Sequence, residues 1–556
     1  DEILKNPKKY HNILTLDPIE PDYHNQKIVG KLYLDTHQKV LHSFAHGGCT
    51  YKLRASVKKI QNFSGQMKKL TDQTLKYMKK SQEFFDSSDQ LVAIDENQLI
   101  TMNRENLSYY LSSCIQYFTI NDKNEQKYIN PPIQLVNQLL SINRKLNKIS
   151  IATDMPIILT NGEIVSRYGY HEEHEIFISQ MHDDLPSLKN VSKAQLQKAI
   201  DDLIHPFCEF SFKTSLDFSV TLAAILTAIT RPILPITPAF AIDAPTQGTG
   251  KSYLSQCLAI LATSKSPTTF PPTSAINDDE HLKRLTSSLL NNDRAILFDN
   301  IIETFDSPTL ATFLTNEEYS DRVLNHSKNM SFNNKLLVLI TGNNIEFCGD
   351  MLRRVLICRL DTQLQDPTSR QFSQNPLEYI KNNRYKLFIA AFTIIKAYFE
   401  SENFLNNQHK NKGQLASFES WDRLIRQPLL WLSETIDNNK FQDPINSIKQ
   451  SMKSDPDSQT WSLILLELEQ INELKERWLE AKEIFQIILN SSNHLMITEL
   501  LQDLLNTDEI SHRNFGKALS FRKDKVVNNL RIVQKQSSNR NRYKLEVIND
   551  INAIND

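Results

Sequence analysis

The sequence has little glycine, 12 of 556 residues, and little cysteine, with no Cys-x-x-Cys pair. The glycine shortage goes with abundant Asn, Lys, Ile and Gln and reads as an AT-rich coding bias. The cysteines at 49, 114, 208, 257, 348 and 358 are scattered. That excludes a disulfide framework or a zinc finger and points to a reducing cytosol. No apolar run is long enough to span a bilayer. The longest, VTLAAILTAIT at 220–230, is closed by Arg231 and by prolines, and reads as a buried helix. A dominant charge is also missing: 63 basic against 65 acidic residues leave −2, so total charge names no partner. Neither an internal repeat nor a low-complexity segment occurs. The chain opens at Asp1 without a leader-like stretch and is read as a piece of a longer protein.

What is present is ordinary folded-protein material, 40% hydrophobic and 23% charged, too long for one core; three or four domains are expected. Residues 30–53 alternate like two short strands, and 63–85 carry a basic amphipathic helix pattern. The stretch 156–178 reads as strand, Asn-Gly turn, strand. Ser192 caps a helix whose apolar residues recur at helical spacing. From 239 to 361, four apolar runs (AFAID, RAILFDN, KLLVLIT, RVLICRLD) alternate with helical stretches, which implies a parallel sheet. Residues 376–440 read as helical, 441–458 as a linker, and 460–550 as three short helices followed by two β-like runs.

The segment Pro245-Thr246-Gln247-Gly248-Thr249-Gly250-Lys251-Ser252 departs from a full phosphate-binding loop only in having Pro245 for the first Gly. Gly248 and Gly250 let backbone N–H groups face phosphate oxygens. Lys251 reaches the β- and γ-phosphates, and Ser252 can ligate Mg²⁺. The helix that follows puts its positive end on the anion. Asp299, ending the AILFDN run, fits a second Mg²⁺ acid. The usual glutamate after it is replaced by Asn300, so the water-activating base is Glu280 or Glu303, or Asn300 positions the water itself. Asn343, with Asn344 second, ends the third strand where a polar group can sense a γ-phosphate; a tight turn is the plainer reading. Arg353 and Arg354, after Asp350, suit fingers for a neighbouring subunit's phosphate.

Between acid and sensor, residues 321–341 read as a β-hairpin with His326 and Lys328 at its tip, placed to grip a nucleic-acid backbone or forming only a surface loop. Residues 511–545 hold ten cations, among them Arg522, Lys523, Lys525, Arg540 and Arg542. Helices before a basic hairpin form a winged-helix pattern, with a solvated basic face as the alternative. His42, His46 and Cys49, and the pair His171 and His174, do not complete a four-ligand set and are read as ordinary polar residues.

With these motifs placed, the chain resembles the helicase half of primase-helicases of prophages and other mobile elements, AAA+-type ATPases close to superfamily 3 and MCM-like helicases. HSFAHGG, GYHEEHEIF, APTQGTGKS, ILFDN, FLTNEEYSDRVL, TGNNIEFCGDMLRRVLICRLD and GQLASFESWDRLIRQPLLWL are among the stretches that carry it. The resemblance implies a ring acting on single-stranded and forked DNA with ATP and Mg²⁺. It makes Asn300 usual rather than a defect, and offers Arg423 or Arg426 as a second sensor in a lid. A primase would lie upstream. The expected organisation is a tail of an upstream domain (1–60), an α+β region (61–185), a helical region (186–238), a P-loop ATPase core (239–365), a helical lid (366–440), the linker (441–458) and a winged-helix DNA-binding domain (459–556). The expected function is a cytoplasmic, ring-shaped (hexameric) DNA helicase with no membrane contact. The rival is an ATP-switched initiator or loader that does not unwind.

Overall fold

The computed structural model describes residues 2–5, 7–34, 39–45, 48–53, 57–87, 90–95, 97–182, 185–271, 278–302, 304–322, 329–364, 367, 372–405, 415–437, 439–453, 456–490, 494–505, 507, 509–537 and 540–548. The alternating apolar runs form a parallel sheet. Its strands are β1 (Ala239–Ala244), β2 (Thr268–Phe270), β3 (Ala295–Ile301), β4 (Leu337–Asn343) and β5 (Val355–Arg359), in the order β2-β3-β4-β1-β5. Four strands were expected; β2 is too short and too polar to show a pattern. Between the strands run α1 (Lys251–Thr263) and α2 (Asp278–Leu290).

Apart from β2, these strands are apolar up to their C-terminal ends because both faces are covered. Alternate residues enter two different cores. Phe240, Ile242, Leu297, Leu339 and Leu356 pack with α1 and with the helices Ser215–Thr230 and Pro376–Phe399. Ala241, Ile296, Phe298, Val338, Ile340 and Ile357 pack with α2 and the helix Pro308–Thr315. The Ser215–Thr230 helix lacks a polar face because it is enclosed on all sides. Ser192 caps its helix in a capping box with Gln195.

Residues 441–458, expected as a linker, instead carry the helix Ile445–Lys453. Phe441, Ile445 and Ile448 are buried in the first of those cores, and the Ser447 hydroxyl accepts the Ile357 N–H at 3.4 Å. Asp443 and Pro444, which suggest a loop, stand just before the helix, where Asp443 pairs with Arg426 and the Ser447 hydroxyl donates to the Pro444 carbonyl.

Strands Glu318–Arg322 and Asn329–Asn333 pair as the hairpin before β4, with Glu318 opposite Asn333. Its tip, with His326 and Lys328, lies outside the described residues. Near the N-terminus, Leu14–Thr15, Gly30–Tyr33, Val40–Ser43 and Cys49–Lys52 form a four-stranded antiparallel sheet, with one strand more than expected within residues 30–53. After Pro456–Glu469 come the helices Asn472–Glu476, Ala481–Leu489, His494–Leu505 and His512–Phe521, more than the three expected. A hairpin follows, Leu530–Ser537 with Arg540–Val547, extended by Leu479–Glu480. A separate core around Trp461, Phe515 and Tyr543 holds this part together.

Candidate functional site

Because β3, β4 and β1 are parallel neighbours, their C-terminal ends lie side by side. β1 turns through 245–250 into α1. The turn needs Gly248 at φ 77° and Gly250 at φ 93°, a region that strains any residue with a side chain. Gly250 caps α1 with no side-chain acceptor, so no side chain competes for the first N–H groups of the helix.

Lys251 is buried at the foot of the loop. Its Nζ donates to Asn343 Oδ1 at 2.7 Å, to the Thr246 carbonyl at 2.8 Å and to Thr249 Oγ1 at 3.4 Å. Burial lowers its pKa, opposed by the carboxylates of Asp243 and Asp299. Ser252 Oγ donates to Asp299 Oδ1 at 2.7 Å. Thus Lys251, Ser252, Asp299 and Asn343, far apart in sequence, meet at one sheet edge. Asn344 does something else: at φ 51° its N–H donates to the Ala244 carbonyl, so it makes the turn.

Two residues at this edge escaped the sequence reading. Thr341 Oγ1 donates to Asp299 Oδ1 at 2.5 Å and accepts the Asn300 N–H at 2.9 Å. Its signal was a hydroxyl two residues before Asn343, on the same face of an otherwise apolar strand. Asp243, also buried, accepts the Ile345 N–H at 3.0 Å and so ties the turn after Asn343 to β1. Burial raises the pKa of Asp243, opposed chiefly by that N–H and by Arg359.

Asn300 adopts φ 58°, and the β3–β4 register jumps from Phe298↔Ile340 to Ile301↔Gly342. This bulge drives the Ile301 carbonyl toward Gly342, where an added Cβ would sit 2.2 Å from it. Among the alternative bases, Glu280 accepts from Arg284 Nε at 3.0 Å in the first turn of α2, and Glu303 lies outside the described residues.

Arg353 and Arg354 both pair with Asp350, at 2.9 and 3.2 Å. The Arg354 carbonyl accepts the Ala239 N–H, which places the pair at the N-terminal edge of the sheet, opposite the loop. A strand of five or six residues separates the edges, about 15–20 Å. Arg426 is corrected as a sensor candidate: its guanidinium is buried between Asp422 and Asp443, at 2.8 and 2.7 Å. Arg423 is exposed and lies over the Phe399 and Phe404 rings.

The C-terminal cations are not one free surface. Arg522 is corrected: it is buried, its guanidinium 5.8 Å from the Trp461 ring centre. Arg540 and Arg542 both approach Glu480, at 3.2 and 4.0 Å. Lys525 donates to Ser458 at 2.9 Å, and Lys523 is exposed.

The donor set at the sheet edge fits a nucleotide with a divalent cation. Ser252 and Asp299 offer hard oxygen ligands 2.7 Å apart and would hold Mg²⁺, a cation that favours oxygen ligands. Among the described residues, no group of three or more His, Cys, Asp or Glu could hold a metal by itself. His46 lies outside them.

No protein-family model and no curated protein matches the chain. Among solved structures, it is similar to the apo A form of the NrS-1 C-terminal region, at 11% identity over 84% of this chain and 96% of that one, TM-score 0.34. It is also similar to JCV helicase, at 12% identity over 45% of this chain and 70% of that one, TM-score 0.19. Such loose superpositions carry no functional argument; the site has to carry it. No described helix is long and apolar enough to cross a membrane.

Proposed function

We propose that the chain is a P-loop ATPase of the AAA+ type that unwinds DNA as a homo-oligomeric ring, a hexamer, in the cytoplasm. The observation that supports this most is the meeting of Lys251, Ser252, Asp299 and Asn343 at the end of three adjacent parallel strands. In this reading the loop amides and Lys251 bind the phosphates of ATP. Ser252 and Asp299 hold Mg²⁺, which when bound neutralises charge between the phosphates. Thr341 fixes the Asp299 carboxylate, and Asn343 responds to the γ-phosphate. Arg353 or Arg354 serves the next subunit's site. Lys328 grips DNA in the ring, and the 459–556 segment, as a winged-helix domain, contacts DNA through Lys523 and the hairpin. The motif resemblance extends the proposal to replication of a prophage or other mobile element, beside a primase domain or partner.

A second reading, an ATP-switched initiator or loader, is favoured by Asn300, which cannot accept a proton. A forked DNA substrate with ATP and Mg²⁺ separates the two. Strand release coupled to turnover establishes the motor. Binding without release establishes the switch. No ATP-dependent change of either kind overturns both.

A further inference from the structure

The end of the parallel sheet away from the loop gathers more cations than carboxylates. Arg231 follows the last residue of the Ser215–Thr230 helix and is buried. Its guanidinium donates only to uncharged oxygens: the carbonyls of Leu336, Leu234 and Asn334 at 2.7, 2.7 and 2.9 Å, and Asn334 Oδ1 at 2.6 Å. Lys335, two residues before β4, donates from Nζ to the same Leu234 carbonyl at 3.2 Å. One carbonyl thus holds two cations side by side. Arg294 stands just before β3, and its carbonyl accepts the Leu337 N–H at 2.9 Å, so it opens the strand next to β4. Among the described residues, its guanidinium makes no hydrogen bond and no ion pair. The three charges act on one another. Burial lowers the pKa of Arg231 to about 9, and the Arg294 charge adds to the shift. Burial likewise lowers Lys335 to about 8, helped by Arg231 and Arg294 and opposed by Glu317.

The carboxylates within reach do not balance this. Asp154 is the acid that acts on Arg294, but Arg384 already holds it, Nη1 to Oδ2 at 2.5 Å and Nη2 to Oδ1 at 3.3 Å. Glu317 is exposed and forms no ion pair with Lys335. Asp293, beside Arg294 in sequence, pairs with none of the cations. Arg231, Arg294, Lys335 and Arg384 thus stand against Asp154 and Glu317, which leaves two positive charges uncompensated. Charges taken out of water need a counter-charge, and leaving them without one costs stability. Arg294 and Lys335 are only partly buried, so an ion from solution can reach their unused N–H groups. A guanidinium fork beside an ammonium suits a phosphate, with paired N–H bonds from one and a point charge from the other. A carboxylate would cancel half of the excess; a phosphate dianion cancels all of it. We infer that Arg294 and Lys335 bind a doubly charged phosphate group, with Arg231 adding its charge. The loop lies at the opposite edge of the sheet, so this site stands apart from the ATPase reading.

The test is equilibrium dialysis of the full chain against labelled inorganic phosphate at constant ionic strength, in a Lys251→Ala background that weakens phosphate binding at the loop. Adding Arg294→Gln should weaken binding about tenfold or more, as loss of a charged hydrogen-bond donor does. Lys335→Gln should act in the same direction, and Arg294→Lys, which keeps a charge, should lose less. Phosphate should raise the melting temperature of the background protein and not that of its Arg294→Gln derivative. In phosphate-free buffer the derivative should melt no lower than its parent, because it has lost an unpaired charge; the lost binding is then not unfolding. Oligonucleotides with a 5′-phosphate or a 5′-hydroxyl separate the sources. Tighter binding of the phosphorylated strand, erased by Arg294→Gln, assigns the site to a nucleic-acid end. Equal binding of the two strands, with inorganic phosphate still held, assigns it to free phosphate. Phosphate affinity unchanged by Arg294→Gln overturns the inference, and so does a background protein that binds no phosphate.

Discussion

Lys251 Nζ and Asn343 Oδ1 lie 2.7 Å apart, joining the first residue of α1 to the last residue of β4. The link makes the loop and the strand end one unit.

Lys251→Ala removes the cation and leaves Asn343 without this donor. If the loop holds ATP, turnover should fall by two orders of magnitude or more, since losing a preorganised charge costs about 3 kcal/mol or more at the transition state. Near-normal hydrolysis in a steady-state assay would refute the site.

Thr341→Val keeps the shape of the side chain but removes the hydroxyl that holds Asp299 and the Asn300 N–H. The Asn300 N–H loses its acceptor, so stability should drop by about 1–3 kcal/mol. The Mg²⁺ concentration for half-maximal turnover should rise. A melting point and a Mg²⁺ titration equal to wild type would remove Thr341 from the machinery.

Asn300 sits at φ 58°, where Asn and Gly are tolerated and longer side chains are strained. Introducing the usual glutamate therefore confounds chemistry with strain: Asn300→Glu should destabilise by about 1 kcal/mol or more, and Asn300→Gly should not. Asn300→Asp, which fits the backbone, is the cleaner probe of a missing base. Equal melting temperatures for the Glu and Gly variants would contradict this account.

Arg353 and Arg354 are a strand's length from their own loop, so in the proposed ring the phosphate they would serve is another subunit's. The double variant Arg353→Ala/Arg354→Ala should bind ATP and barely hydrolyse it. Mixed with Lys251→Ala, it should regain activity in a concentration-dependent way, because one protein supplies the site and the other the finger. If subunits exchange and no ratio restores hydrolysis, the arginines do not act in trans.

The parallel sheet is legible in the sequence because strands covered on both faces leave apolar runs, and because a short loop ending in Gly250-Lys251-Ser252 follows one of them. The partners that orient these residues are not legible. Thr341 looks like the end of an apolar strand, and Asp243 like its neighbour's last polar residue; each acquires meaning only once β3, β4 and β1 are in order. Arg426 and Arg522 show the opposite failure. A sequence gives their charge but not the Asp443 or Trp461 side chain that covers them. The 441–458 stretch misled because its composition is that of a loop, while its two isoleucines, three residues apart, face a core.

β5 is an outer strand, and outer strands invite other chains to add to them. Here that invitation is withdrawn. Ser447 takes the Ile357 N–H, Asp217 takes the Arg359 N–H at 2.7 Å, and the Arg359 carbonyl receives the Lys213 N–H at 2.9 Å. A chain shortened to stop before Ile445 would uncover the Ile357 N–H and the apolar surface around it. The segment that looks dispensable thus guards the molecule against aggregation, and any truncation meant to isolate the sheet has to keep it.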